Sequence, residues 1–182
     1  RRYYKENITE DEEPYTFPKY YKYPIEQAKE AFRHGVNHVT HTYNAMNGFT
    51  HRAPGVVGAT FDSDDVYAEL ILDGIHVHFA AAKTLIKEKG IGKVCLITDS
   101  MEASGLPDGE YALGGQPVYV KNGEARLFDG TLAGSVLKMN EAVRNAYHQL
   151  HLPIYEAVRL ASYNPAVSIN HPEIGEIAPN KK

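Results

Sequence analysis

The amino-acid sequence predicts an α/β protein that forms part of a (β/α) barrel. Helix-forming and strand-forming segments alternate between Pro24 and Asp99, which is the order that βαβ units produce. Three strand-forming segments also lead into a polar residue able to do chemistry, namely His41, His76 and Asp99. In (β/α) barrels the functional groups lie at these carboxyl ends of the strands. A complete barrel takes about 250 residues. We count only about three βα units in this sequence, so the other strands would belong to a longer chain or to a partner.

The individual elements follow from periodicity and from turn residues. A helix should begin at Pro24 and end at Gly35, because Ile25, Ala28, Ala31 and Phe32 fall on one face. Strands are predicted at 36–41, 65–72 and 93–98, and an amphipathic helix at 79–88. Residues 111–130 alternate and contain Gly-Gly and Asn-Gly turns, which predict β-hairpins. Helices are predicted again at 135–149 and at 154–162, the second ending before Pro165.

These elements divide the chain into four segments. Residues 1–23 are acidic and tyrosine-rich and are predicted to form an irregular N-terminal arm. The partial barrel should occupy residues 24–110, and the hairpins residues 111–134. Residues 135–182 should contain the C-terminal helices and the start of a returning β-sandwich segment.

Composition excludes several classes of partner and compartment. The net charge of -4 offers no long-range attraction for nucleic acid or for an anionic membrane. No apolar run approaches the roughly 20 residues of a membrane span, and residues 1–22 lack an apolar signal-peptide core. The single cysteine, Cys95, cannot form an internal disulfide, which favours the cytoplasm. Cys95 lies in an apolar strand and is predicted to be an inert core thiol.

Five motifs occur in a fixed order along the chain. They are His41-Thr42-Tyr43-Asn44-Ala45-Met46, Arg52-Ala53-Pro54-Gly55, Asp73-Gly74-Ile75-His76-Val77, Leu96-Ile97-Thr98-Asp99 and Asp129-Gly130-Thr131-Leu132-Ala133-Gly134-Ser135. Together they resemble the motifs of the N-acetylglucosamine-6-phosphate deacetylases of the amidohydrolase superfamily. The resemblance extends from about residue 25 to residue 178 and does not include the first twenty-odd residues.

The resemblance implies a metal-dependent barrel with a small β-sandwich, usually dimeric. Its reaction would be hydrolysis of the N-acetyl group of N-acetylglucosamine 6-phosphate to glucosamine 6-phosphate and acetate. By resemblance, His41 is a ligand of a divalent metal, zinc by expectation, and Asp99 is the catalytic acid and base. The implied substrate-binding residues are His76 at the carbonyl or sugar, Asn44, Ala45 and Arg52 at the phosphate, and the backbone of Leu132, Ala133 and Gly134 over the acetyl group.

Each of these residues also has a simpler structural explanation. Asp99 could be an N-cap or turn aspartate, and His41 a hydrogen-bonded structural histidine. Arg52 could be an ordinary exposed arginine, and residues 130–135 a plain hairpin loop. His76 and His78 could share a face if their strand continued, which leaves a two-histidine metal pair conceivable. His38 is predicted to be a packing or surface residue, and the remaining histidines surface residues: His34, His51, His148, His151 and His171.

Two further metal ligands implied by the resemblance have no match in this sequence. One is a glutamate from a region with no counterpart, and the other is a histidine whose place falls at about Tyr20. Phenol ionises only near pH 10 and replaces imidazole poorly, and catalytic zinc generally has three protein ligands. A second hypothesis is therefore a non-catalytic phosphosugar-binding or structural fragment. A third is another amidohydrolase, acting on a cyclic amide or on a different acylated sugar.

Overall fold

The computed structural model describes residues 24–179 and residue 181. The predicted N-terminal arm and Tyr20 lie outside this part of the chain. The helices are α1 (Pro24–Arg33), α2 (Gly55–Phe61), α3 (Phe79–Lys89), α4 (Met139–His148), α5 (Ile154–Ala161) and α6 (Tyr163–Ser168). The strands are β1 (His38–Val39), β2 (Tyr67–Ile71), β3 (Val94–Ile97), β4 (Gly109–Leu113), β5 (Gln116–Lys121) and β6 (Glu124–Arg126). A short 3-10 helix (Ile91–Lys93) precedes β3.

Three strands form a parallel sheet in the order β1-β2-β3. Val39 pairs with Ala68, which in turn pairs with Val94, and the last pair is Ile71 with Ile97. Because α3 connects β2 to β3, the chain contains the βαβ unit of a (β/α) barrel. The predicted class, an α/β fold that forms part of a barrel, is confirmed.

The main core lies between this sheet and helices α3, α4 and α5. Leu70, Leu96, Leu85 and Leu160 are at most 2% exposed and belong to one apolar cluster. Leu137, Ala142 and Ala146 are buried in the same cluster and Val143 packs against it. Cys95 is also buried as predicted, and burial raises the pKa of its thiol to about 11.

A second, antiparallel sheet in the order β4-β5-β6 forms the predicted hairpins. The φ angles are +59° and +84° at Gly114 and Gly115, and +52° and +81° at Asn122 and Gly123. Two successive positive φ angles are what a type I′ hairpin turn requires. The sheet has its own apolar cluster, which includes Val118, Val120, Ala125, Met101 and Ala133.

Several predicted boundaries are wrong. The first strand spans only His38–Val39, because the chain turns at Thr40. Helix α4 begins at Met139 rather than residue 135, because Ser135 forms a β-bridge with Ser100 instead. Helix α2 was not predicted, since its sequence GVVGATF contains two glycines and two β-branched valines. Pro165 follows α5 as predicted, but it lies in the first turn of α6, where proline is tolerated.

No helix in the described part of the chain is both long enough and apolar enough to cross a membrane.

The side chain of Lys89 holds the end of α2 against α3. Lys89 is 9% exposed, and its ammonium group donates to the carbonyl oxygen of Thr60 at 2.9 Å and to that of Ser63. These carbonyls lie at the C-terminus of α2, where helical partners run out and a cation is favoured. The buried lysine therefore ties two helices together.

Replacing Lys89 by methionine is expected to lower the free energy of unfolding by about 1–3 kcal/mol. Methionine fills a similar volume but leaves the two carbonyl groups without their donor. Chemical denaturation of the purified chain measures the change. Lys87→Met on the exposed face of the same helix is the matched control and should be close to neutral; equal effects of the two substitutions would contradict the capping role.

Candidate active site

The predicted functional residues follow the carboxyl ends of the three parallel strands. Asp73 and Asp99 each come two residues after the Ile71–Ile97 pair, so both lie at the same edge of the sheet. His41 comes two residues after Val39, at the end of the neighbouring strand. The backbone N–H of Thr42 donates to the carbonyl oxygen of Glu69 at 2.9 Å, which keeps the His41 loop beside β2. This edge is where a (β/α) barrel carries its active site.

The loop that follows β1 has an uncommon backbone conformation. His41, Tyr43 and Ala45 have φ angles of +35°, +78° and +52°. Non-glycine residues in this region cost of order 1–3 kcal/mol each and concentrate at functional sites. Asn44 holds the loop, because its side-chain amide donates to the carbonyl oxygens of His41 and Thr42 at 3.3 and 3.4 Å. The hydroxyl of Tyr43 donates to the carbonyl oxygen of Ala81 at 3.3 Å and fixes the loop to α3.

His41 has a buried ring nitrogen that is available for a ligand. Its Nδ1 atom is buried and has no hydrogen-bond partner among the described residues. Buried polar atoms are nearly always paired, so an orphan of this kind needs a partner from outside the described protein atoms. A metal ion fits that requirement. However, within residues 24–179 and 181 no group of three His, Cys, Asp or Glu side chains is placed to hold a metal. His41 therefore fits as one ligand, and the described residues do not complete a site.

Asp73 and His76 form a buried pair in the segment that follows β2. The Asp73 Oδ2 atom lies 2.6 Å from His76 Nδ1, and their side chains are 9% and 8% exposed. Asp73 Oδ1 accepts the backbone N–H groups of Ile75 and His76, both at 2.8 Å. Burial alone would raise the pKa of Asp73, but the hydrogen bonds from the His76 ring and from these two backbone groups outweigh it and lower the pKa. The carboxylate is therefore ionised in the folded chain.

The sequence analysis did not identify Asp73 as a functional residue. The signal was present, since an aspartate before glycine often bonds to the backbone two residues on. Gly74 has a φ of +80°, and a Cβ atom there would lie 2.7 Å from the ring of Phe79, so the turn needs glycine. His78 does not join His76 in a pair, because its Nδ1 atom accepts the N–H of Ala80 at 3.2 Å and caps α3.

Asp99 is exposed at the end of its strand, and its side chain makes no hydrogen bond within the described part of the chain. No helix begins at Asp99, so Asp99 is not a helix N-cap. Its φ of +48° is left-handed. The backbone is held there by Ser135, whose N–H donates to the Asp99 carbonyl at 3.1 Å and whose carbonyl accepts the N–H of Met101 at 2.9 Å. The result is a free carboxylate on a fixed backbone.

The segment 130–135 lies directly beside Asp99. Gly134 has a φ of +120°, and a Cβ atom at this position would lie 3.9 Å from the Asp99 carbonyl oxygen. The backbone N–H of Ala133 already donates to Ala125 at 3.0 Å, and Leu132 bridges Arg126, so this segment extends the hairpin sheet. The structure thus brings Gly134 close to Asp99, whereas Leu132 and Ala133 pair with the hairpin sheet.

Arg52 is exposed in the loop before α2. Thr50 closes this loop, because its hydroxyl accepts the N–H of Ala53 at 3.0 Å. No contact among the described residues joins the Arg52 side chain to His41, Asp73 or Asp99. The other histidines behave as predicted: His34, His51, His148, His151 and His171 are exposed, and His38 packs on Tyr67 at 5.4 Å between ring centres.

The pair of Asp73 and His76 should make stability depend on acid pH. Because the pKa of Asp73 is lowered on folding, its contribution is fully present above the unfolded value of about 3.9 and is lost as the pH falls through the lowered folded value. We expect the wild type to be more stable than Asp73→Asn at neutral pH, and this difference in unfolding free energy to shrink below about pH 4. Urea titrations at several pH values measure it; a difference that does not change down to about pH 2 would contradict the assignment.

The parallel sheet and the polar residues at its carboxyl edge define the chain as part of a (β/α) barrel with a candidate hydrolytic site. The chain belongs to the amidohydrolase family, whose family model matches residues 22–182.

Its similarity to known proteins is more specific. It is 48% identical over 137 residues to an N-acetylglucosamine-6-phosphate deacetylase from Bacillus subtilis (strain 168), covering 75% of this chain and 35% of the relative. It is 41% identical over 143 residues to a putative N-acetylgalactosamine-6-phosphate deacetylase from Escherichia coli (strain K12), covering 78% of this chain and 85% of the relative.

A solved structure is also similar. This is a mutant N-acetyl-D-glucosamine-6-phosphate deacetylase from Mycobacterium smegmatis in complex with N-acetyl-D-glucosamine-6-phosphate. It matches with a TM-score of 0.82 and 34% identity over 87% of this chain and 43% of that one. The chain therefore spans less than half the length of the Bacillus and Mycobacterium proteins.

Proposed function

We propose that the protein containing this chain hydrolyses the N-acetyl group of N-acetylglucosamine 6-phosphate, giving glucosamine 6-phosphate and acetate. The observation that carries the proposal is the unpaired carboxylate of Asp99 at the carboxyl edge of the sheet, beside the Gly134 segment. The order of motifs and the names of the relatives support the same reaction.

Asp99 is the proposed acid and base. Amide hydrolysis needs a group that takes a proton from water as it attacks the carbonyl carbon and then delivers a proton to the leaving nitrogen. A carboxylate that donates and accepts nothing within the described chain is free for both steps. The two backbone hydrogen bonds to Ser135 fix where this carboxylate starts, which is the positioning that such transfers require.

The remaining proposed roles concern binding. His76, oriented by Asp73 at 2.6 Å, would contact the carbonyl or a hydroxyl of the sugar. The loop with Asn44 and Ala45 would face the phosphate, as the resemblance implies. The N–H groups of Thr42 and Asn44 already donate to the carbonyl oxygens of Glu69 and His41, so other groups of the loop would meet the anion. Arg52, exposed before α2, would add a guanidinium that binds phosphate through two nitrogens. Leu132, Ala133 and Gly134 would lie against the acetyl group.

A divalent metal, zinc in our proposal, belongs to the same site. When bound, it would activate water and polarise the amide carbonyl. Its one ligand in the described chain would be His41, through the orphaned Nδ1 atom, and the other ligands would come from outside the described residues. We further propose a cytoplasmic homodimer, in which the exposed Arg52 can reach the site of the neighbouring subunit.

Acetate release from N-acetylglucosamine 6-phosphate by the purified chain, with and without added zinc, tests the proposal. Metal-dependent release with this substrate, and much weaker release with unphosphorylated N-acetylglucosamine, is the expected result. N-acetylgalactosamine 6-phosphate should be compared directly, because one relative carries that name. Absence of release from folded protein in every condition would contradict activity of this chain.

A non-catalytic phosphosugar-binding fragment is the second candidate. It is favoured by the absence of a three-ligand group within the described residues. Elemental analysis separates the two candidates: stoichiometric zinc that survives gel filtration supports the enzyme, and metal-free protein that still binds the sugar phosphate supports the fragment.

A further inference from the structure

The contacts of the Asp73 carboxylate determine which nitrogen of His76 carries a proton. An ionised carboxylate only accepts hydrogen bonds, and the Oδ2 atom of Asp73 lies 2.6 Å from His76 Nδ1. The other oxygen, Oδ1, is already occupied by the N–H groups of Ile75 and His76. The lowered pKa of Asp73 agrees with an ionised group. His76 Nδ1 must therefore be the protonated nitrogen.

The surroundings leave this pair little freedom to rearrange. Both side chains are at least nine-tenths buried. Gly74 lies between Asp73 and His76 in the sequence, and the ring of Phe79 packs against it. Asn145 on α4 donates its side-chain N–H to the carbonyl oxygen of Leu72 at 2.9 Å, which holds the backbone immediately before Asp73. The backbone on both sides of Asp73 is thus held by neighbours from α3 and α4, and Asp73 in turn orients the imidazole.

The second ring nitrogen of His76 remains available. Within the described residues, no hydrogen bond uses Nε2. Free imidazole exchanges between two tautomers, and a hydrogen bond to one nitrogen decides the state of the other. With Nδ1 protonated and the ring neutral, Nε2 presents a lone pair.

We propose that Asp73 is a positioning residue that fixes His76 in the tautomer protonated at Nδ1, so that Nε2 accepts a hydrogen bond from a hydroxyl group of the sugar. The proposal rests on the proposed function for the identity of the ligand, but not for the tautomer. It deepens that function by assigning the direction of the hydrogen bond at His76.

Nitrogen-15 NMR of the histidine rings in the purified chain tests the tautomer without any need for activity. In the wild type at a pH where the ring is neutral, the His76 Nδ1 signal should be that of a protonated nitrogen and the Nε2 signal that of a bare one. A spectrum with the proton on Nε2 would overturn the proposal. Assignment comes from the signal that disappears in His76→Gln.

Asp73→Asn should reverse the tautomer. The two backbone N–H groups require an oxygen at the Oδ1 position, so the asparagine NH₂ group must face His76 Nδ1 and donate to it. The proton then moves to Nε2. His38, held by Asn37 and Ser168 at 3.1 and 2.9 Å, is the internal control and should keep its signals. An unchanged His76 tautomer in a folded variant would overturn the proposal, and if the variant does not fold, the wild-type spectrum decides.

Titration with N-acetylglucosamine 6-phosphate tests the hydroxyl contact. The His76 Nε2 signal of the wild type should move on addition of the sugar phosphate, while the His38 signals stay in place. In Asp73→Asn the protonated Nε2 can only donate, so the hydroxyl, which can do either, would have to accept instead, and the Nε2 signal should remain that of a protonated nitrogen when the sugar phosphate binds. If the wild type has the expected tautomer but its Nε2 signal does not move on addition of the sugar phosphate, the proposed hydrogen bond from the hydroxyl group is overturned. Acetate release is measured separately and reports on the proposed reaction. Failure of the tautomer proposal can therefore be told apart from failure of the proposed function.

Discussion

Exchange of Asp99 for asparagine is expected to slow acetate release by about 10²–10⁴-fold. Asparagine has the shape of aspartate but cannot take up the proton of the attacking water. It also tolerates a positive φ better than most residues, so the backbone at +48° should persist. The measurement is the initial rate of acetate release at saturating N-acetylglucosamine 6-phosphate. The ratio of the wild-type rate to the Asp99→Asn rate gives the effect.

The control for this exchange is Asp62→Asn. Asp62 is exposed and pairs with Lys29 on α1, after helix α2 and away from the carboxyl edge of the sheet. It should leave the rate within about twofold of the wild type, because surface changes of this kind have little effect. Full activity of Asp99→Asn with unchanged folding would remove Asp99 from the chemistry and return it to the role of a turn residue.

Replacement of Asn164 by leucine is expected to lower the free energy of unfolding by about 2–4 kcal/mol. Asn164 is 1% exposed. Its amide donates to the carbonyl oxygens of Ile91 and Val94, both at 2.7 Å, and its oxygen accepts from Arg159 Nε at 3.1 Å. Leucine keeps most of the volume but leaves these polar groups unpaired, two of them at the start of β3.

Denaturant titration of Asn164→Leu beside Asn140→Leu measures this loss. Asn140 is exposed on α4, and its replacement should change stability by less than about 0.5 kcal/mol. A small effect at both positions would mean that the contact between α6 and β3 does not depend on the buried amide.

Much of the fold follows from sequence periodicity, and the exceptions have local causes. Helix α3 and the hairpin turns were predicted within a residue or two, because their apolar spacing and glycine pairs have one interpretation. Helix α2 was missed because glycine and valine have low helix propensity, whereas its residues are buried and tertiary packing decides. Ser135 resembles a helix N-cap, yet it bridges Ser100, a partner 35 positions earlier that no local pattern reveals.

The candidate site was predicted in part. The sequence indicated that His41, His76 and Asp99 lie near strand ends, and the pairing of β2 with β3 brings Asp73 and Asp99 to one edge. What no sequence pattern supplied is the environment: the left-handed backbone at four non-glycine positions and the buried carboxylate of Asp73. These depend on neighbours distant in the chain. The roles of the site residues remain predictions to be tested.

The link between Ser135 and Asp99 has a consequence for how this scaffold can diversify. The small antiparallel sheet is inserted between β3 and α4. The Ser135 residue that follows it is hydrogen-bonded to the backbone of Thr98, Asp99 and Met101. Changes at the hairpin tips, around Gly114 and Asn122, alter exposed loops without touching the parallel sheet. Changes near Ser135 displace the carboxylate itself. Sequence variation should therefore accumulate at the tips, while the segment next to Asp99 tolerates little.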